Sequence, residues 1–263
     1  MKIGLFIPCF MNELYPDICK ATYQVLKRQG LNVEYPLNQT CCGQPMANSG
    51  CSKDVKNLAI NFVNTFKEFD YIVAPSGSCV SMVKEHYNEF FNNDKDYNKV
   101  KASIYEVCEF LHDIIKVENL NLNISFPYKV GLHNSCHGHR VLKLGTASEL
   151  NVPYNSKLEN ILNTVNNIEL VELKRKDECC GFGGTFSVAE EDISVAMGKD
   201  RIKDHLDSSA QIMTGADMSC LMHMDGLINR NNYPIKVMHI VEILAGVKPW
   251  VQITITQIMQ KYL

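Results

Sequence analysis

The chain has 263 residues, of which 46% are hydrophobic and 21% charged, with a formal net charge of -3; it can bury a sizeable core as one large domain or two ordinary ones. That charge leaves no basic footprint for nucleic acid or anionic lipid. No apolar run reaches the roughly 18 residues needed to span a bilayer, and Pro8, Asn12 and Glu13 interrupt the opening "MKIGLFIPCFMNELYPD" before a secretory core forms, so the chain is expected in the cytoplasm.

The predicted elements alternate along the chain. Lys2 to Cys9 ("KIGLFIPC") reads as a buried strand, and Asp17 to Gln29 as a helix with Ile18, Ala21, Thr22, Val25 and Leu26 at helical spacing and a stop at Gly30. "NVEYPL" is a second strand. A helix marked by Val55, Leu58, Ala59, Phe62, Val63 and Phe66 follows, then a strand from Tyr71 to Cys79 and a helix from Val80 to Phe91. A polar lysine-rich stretch, Asn92 to Lys101, a helix carrying Ile104, Val107, Leu111, Ile114 and Ile115, and the connector "ENLNLNISFP" lead to a boundary near residue 120. The order then repeats: a strand from Tyr128 to Cys136, a mostly helical stretch from Arg140 to Val165 broken near Pro153, and the strand "IELVEL". A helix from about Ser187 to Leu206, a strand from Gln211 to Cys220 and a short helix from Leu221 complete the set. Such alternation builds parallel sheets. The expected fold is therefore α/β with two duplicated parallel-sheet halves, residues 1–120 and 121–263, each carrying a CCG-type cysteine motif. The tail after Val247, "KPWVQITITQIMQKYL", reads as a terminal helix or an amphipathic docking segment.

The eleven cysteines follow the same duplication. Cys9, Cys41, Cys42 and Cys79 in the first half match Cys136, Cys179, Cys180 and Cys220 in the second, each set expected after the carboxyl ends of strands, where open parallel sheets build ligand sites. Reducing compartments disfavour a disulfide framework, which leaves metal binding or redox chemistry. Three chemistries compete for four thiols. An iron-sulfur cluster needs thiolates and gains from backbone amides in a glycine loop. A structural zinc site usually takes pairs two to four residues apart, a spacing absent here. Thiol-disulfide chemistry usually shows C-x-x-C rather than adjacent cysteines. Cys19 and Cys108 fall at apolar helical positions and read as small buried hydrophobes, and Cys51 is read the same way. The glycines of "CCGFGGTFS" also fit a phosphate loop, but no acidic ribose partner stands at the proper distance. "HNSCHGHR" gathers His133, His137, His139 and Arg140 around Cys136, as hydrogen-bonding groups near a helix start or as an electropositive surround for a reduced centre. His223 and His239 read as structural.

The motifs "CCGQP", "PSGSC", "CCGFGGTFSV", "SCLMH" and "KVMHI" occur in order along residues 1 to about 245. In this they resemble the CCG cysteine-rich domains of heterodisulfide reductases and glycolate oxidase iron-sulfur proteins and, within that group, the lactate-utilisation protein A family. The resemblance implies an iron-sulfur electron-transfer component of a system that oxidises L-lactate to pyruvate. It would work with a ferredoxin-like iron-sulfur protein B and a protein C, with one cluster per half, a [4Fe-4S] cubane or a noncubane type, on the eight matched cysteines. In the heterodisulfide reductase domains a fifth cysteine opens a final C-x-x-C; here Ser76 and Asp217 stand in its place. An open iron could then bind a 2-hydroxy acid with help from His137, His139 or Arg140. Glycolate or heterodisulfide chemistry, and a structural metal scaffold, are the other readings.

Overall fold

A computed structural model describes residues 1–249, and the greater part of the tail "KPWVQITITQIMQKYL", from Trp250 on, lies outside the described residues. Two four-stranded sheets form, each wholly parallel. The first has the order β2-β1-β3-β4, with β1 at Lys2–Leu5, β2 at Asn32–Glu34, β3 at Tyr71–Ala74 and β4 at Ile104–Glu106. The second repeats that order as β6-β5-β7-β8, with β5 at Lys129–Leu132, β6 at Glu169–Leu170, β7 at Ile212–Gly215 and β8 at Lys236–His239. The α/β fold of two parallel-sheet halves is thus the one expected. Each central strand is short, apolar and buried, as sheets covered on both faces require.

Several elements differ from their expected form. The strand β3 stops at Ala74 because Ser76 caps a new helix with its side chain, so Cys79 lies in the first turn of Gly77–Ser81 rather than at a strand end. Likewise β7 stops at Gly215, Asp217 caps the helix Met218–Asn231, and Cys220 is helical. The helix expected around Ile104 begins as β4, and the lysine-rich stretch before it is helical over Lys95–Ser103, capped by Asp94. Residues 140–165 are mostly irregular: a π-helical turn at His137–Val141, a 3-10 turn at Ser148–Leu150 and one short helix, Lys157–Leu162. The apolar residues there are too sparse for a sustained helical face, and Gly145 and Pro153 interrupt it. The strand β8 and the helix Ile240–Ala245 complete the second sheet.

The halves exchange elements across an approximate two-fold relation. The helix after β8, Ile240–Ala245, packs on the first-half helix Pro16–Arg28, and the segment after β4 packs on Lys157–Leu162, where Lys157 pairs with Asp113. Near the middle, Ser76 and Asp217 pair as an antiparallel bridge and Gly77 N–H donates to Ala216 O at 3.3 Å. Glu106 and His239, at equivalent strand ends, each form a capping box, with Glu109 and Glu242.

Glu106 is fully buried, accepts from the N–H groups of Cys108 and Glu109 through Oε2, and has no partner at Oε1. Burial lifts its carboxyl to about 8, with the neighbouring Glu109 and Asp217 charges adding to the rise and the two backbone bonds opposing it. The folded state therefore holds a proton that the unfolded chain releases at the ordinary carboxylate value. Its stability contribution is complete below that value and is lost as pH rises towards 8. Each unit amounts to about 1.4 kcal/mol, so stability is expected to fall by roughly a few kcal/mol across that window. Glu106→Gln keeps the accepting oxygen and should flatten the decline in thermal midpoint between pH 5 and pH 8.5. An unchanged pH profile would show that Glu106 does not titrate in this range.

Candidate metal centres

In each half, four cysteines line the carboxyl edge of the sheet as a chain of neighbouring pairs. Cys9 and Cys79 lie in the first turns of the helices that follow β1 and β3, on either side of the point where the strand order reverses, the usual place for a ligand site in an open α/β sheet. Cys41 and Cys42 arrive from the loop after the edge strand β2. Thiol contacts run from Cys9 to Cys41, from Cys41 to Cys42 and from Cys42 to Cys79. The second half repeats the chain of contacts: Cys136 to Cys179, Cys179 to Cys180, Cys180 to Cys220. None of the eleven cysteines forms a disulfide.

The electrostatics are duplicated too. The neighbouring thiols of Cys42 and Cys9, with Gly43 N–H, lower the pKa of Cys41 to about 3 against the opposing effect of burial. Cys179 is lowered to about 2 in the same way by Cys136, Cys180 and Gly181 N–H. Their neighbours Cys9, Cys42, Cys136 and Cys180 are pushed up by hydrogen bonding among the thiols and by burial. Each glycine N–H lies 3.3 Å from its thiolate sulfur. That contact needs a left-handed backbone, φ 84° at Gly43 and 86° at Gly181, where a side chain is strained. A Cβ would also fall 2.7 Å from Val55 Cγ1 in one loop and 2.7 Å from Ser194 O in the other. Four soft sulfur donors with an amide aimed at the middle one form a set suited to an iron-sulfur cluster or another thiophilic metal.

The CCG cysteine-rich domain family model matches residues 3–84 and again 130–225. Lactate utilization protein A of Halalkalibacterium halodurans is 39% identical over 248 residues, 93% of this chain and 96% of its own. The chain belongs to the lactate utilization protein A family. Another relative of that name, from Exiguobacterium sp., is 38% identical over 254 residues, 94% of this chain and 98% of its own. A crystal structure of a hypothetical protein from Helicobacter pylori superposes with a TM-score of 0.61 at 8% identity, over 96% of this chain and 50% of that one. The chain thus spans half the length of that structure, and the likeness is one of fold.

In this member of the family, Ser76 and Asp217 are engaged in hydrogen bonds. Ser76 Oγ accepts from Cys79 N–H at 3.4 Å and lies 3.2 Å from Ser78 Oγ. The Asp217 carboxylate accepts from Ser78 N–H at 2.7 Å and Ser78 Oγ at 3.3 Å, across the two halves, and from Ser219 N–H at 3.2 Å and Ser219 Oγ at 2.7 Å in its own helix. Both are helix caps, and Asp217 ties the helix that bears Cys79 to the helix that bears Cys220. The loops also meet further out, where Thr185 Oγ1 donates to Asn48 O at 3.5 Å.

Around Cys136, His133, His139 and Arg140 take different partners. His139 Nε2 bonds Thr146 O at 2.8 Å, and Arg140 pairs with Glu149 and Asp177 while its charge lowers the Cys136 thiol against the stronger upward effects. His133 is aimed into the site: one of its ring nitrogens and the sulfurs of Cys180 and Cys220 lie within 4.8 Å of one another. Burial and the nearby Arg201 charge lower its pKa to about 3, so the ring is neutral. Arg201, fully buried beneath this site, was not legible as a site neighbour. Its signal was there: Ser194, Arg201 and His205 lie on the inward face of Glu191–Asp207 where apolar residues belong. His223 Nε2 lies 3.3 Å from Ser194 O, and His239 is a helix cap. Cys108 is fully buried and Cys19 half-buried, its thiol raised to about 11 by burial, while Cys51 is exposed; all three stand apart from the thiol chains.

Among the described residues no helix is long and apolar enough to cross a membrane.

Proposed function

We propose that the protein is a cytoplasmic iron-sulfur electron-transfer component of an L-lactate oxidation system, with one cluster on Cys9, Cys41, Cys42 and Cys79 and a second on Cys136, Cys179, Cys180 and Cys220. The observation that carries this reading is the twofold chain of neighbouring thiols, in each of which a glycine N–H is aimed at the first cysteine of the adjacent pair. Family membership supports the lactate system, and with it the working partners, an iron-sulfur protein B and a protein C. Residues 1–120 and 121–263 are the two units, each with its own site.

A cluster bound at these cysteines supplies one-electron chemistry. The chain's own residues hold and tune it. Cys42, Cys79 and Cys180 are nearly fully buried, which restricts water and side reactions at the sulfurs. Gly43 and Gly181 direct N–H dipoles at the thiolates and favour their charged form. Asp217 and Ser76 keep the two cysteine-bearing helices in fixed relation, which would hold a group bound at either site in a constant setting.

The test is composition. Anaerobically purified protein is expected to be brown and to contain iron and acid-labile sulfide at two sites. Stoichiometric zinc without labile sulfide after full reconstitution would overturn the reading. With the clusters in place, lactate-dependent reduction should require the partner proteins.

A further inference from the structure

The two thiol sites are built alike, but what lies beneath them differs. His133 and Phe6 are equivalent: each follows the first strand of its half, and their N–H groups donate to Thr214 O at 2.7 Å and to Val73 O at 2.9 Å, equivalent carbonyls of β7 and β3. Beneath Phe6 the helix Ser52–Phe66 presents Phe62 edge-on at 4.8 Å between ring centroids, with Phe66 at 5.8 Å. Beneath His133 the corresponding helix Glu191–Asp207 presents Arg201, whose Nε donates to His133 Nδ1 at 3.2 Å. An aromatic cluster supports one site, and a buried histidine-arginine pair the other.

The hydrogen bond fixes the tautomer. Arginine Nε–H can only donate, so Nδ1 of His133 carries the lone pair and Nε2 carries the proton. Among the described residues Nε2 has no hydrogen-bond partner, and it is buried; it is the imidazole's free donor, on a ring of which one nitrogen lies within 4.8 Å of the Cys180 and Cys220 sulfurs. The Asp204 carboxylate bonds Arg201 Nη1 at 2.9 Å, on the other end of the guanidinium. The pair is therefore a dipole with its positive end towards His133 and the thiols. In the first half, phenyl rings supply neither donor nor dipole.

We propose that the two sites differ in reduction potential, and that the His133–Arg201 pair makes the second the higher-potential, electron-accepting site. This rests on the reading of both thiol sets as cluster sites. An N–H donor and a positive dipole stabilise the more negatively charged state of whatever the thiolates hold. Hydrogen bonds to charged groups exceed those to neutral ones by enough to weight the reduction equilibrium about tenfold, or about 59 mV for a one-electron couple.

The experiment is a redox titration of the reconstituted full chain followed by electron paramagnetic resonance, with signals assigned from chains in which Cys42→Ala or Cys180→Ala removes one site. The second-site midpoint is expected above the first. His133→Phe, which copies the first half, should lower it about tenfold in equilibrium constant while the first-site midpoint and the iron and sulfide content hold. His133→Gln, which keeps an N–H donor, should restore most of the loss. A loaded His133→Phe protein with an unchanged second midpoint would overturn the proposal. Should His133→Phe fail to load, the unmodified chain decides: a second site at or below the first overturns it as well. Absence of iron and sulfide in the unmodified protein is a separate result, which removes the cluster reading itself.

Discussion

Replacing Cys42 with alanine is expected to halve the iron and acid-labile sulfide of anaerobically reconstituted protein, and Cys180→Ala to do the same from the other half. Each is the inner cysteine of its pair, 2% exposed, and touches both the thiolate beside it and the last cysteine of its set. Removing it takes a ligand from the centre of the thiol chain and a donor from Cys41 or Cys179. The neighbouring site should be untouched, because every thiol contact runs within one set. The polypeptide should stay folded, since each half has its own four-stranded sheet and the apolar core runs through both; a large-to-small change of this size costs about 1 to 2 kcal/mol. The double substitution should leave no labile sulfide. If a single substitution emptied both sites, the eight cysteines would hold one shared group. If neither changed the iron content, these thiols would not be the ligands.

Much of this arrangement was legible because the duplication was written twice. The strand sequences "KIGL" and "KVGL" and the two CCG loops recur in order, and each half supplies β-branched or leucine runs of the length parallel strands need. What escaped the sequence was decided by caps and by tertiary partners. Ser76 and Asp217 end β3 and β7 by starting a helix, which apolar periodicity alone does not register, because Val73, Ala74 and Val80 suit either element. The strand β4 has three residues, and its identity as a strand comes from pairing with β3. The polar residues His133, Arg201 and Asp204 were harder still: a buried ion pair looks like an exposed one until its burial is known. Spacing found the thiols, whereas the asymmetry beneath them became visible only in three dimensions.

Asp217→Ala is the substitution outside the thiol sets expected to cost most in stability, roughly 3 to 5 kcal/mol of unfolding free energy. The carboxylate is 2% exposed and accepts four hydrogen bonds, two from Ser78 of the opposite half and two from Ser219. Alanine would leave the buried Ser78 N–H and the half-buried Ser219 N–H without their acceptor, and an orphaned buried donor costs about 1 to 3 kcal/mol. Ser76→Ala should cost less, about 1 kcal/mol, because it removes one cap bond at 3.4 Å. Denaturant unfolding of both variants against the parent chain measures the difference. The same variants decide what these residues do at the position where related domains carry a fifth cysteine. As helix caps they hold the halves together, and on that role folded Asp217→Ala protein at low temperature should keep the iron and sulfide content of the parent at both sites. Loss of iron confined to the second site, with stability preserved, would make Asp217 a ligand instead. Its four bonds to Ser78 and Ser219 argue against that outcome, since a carboxylate turned towards a metal would have to surrender the contacts that join the two halves.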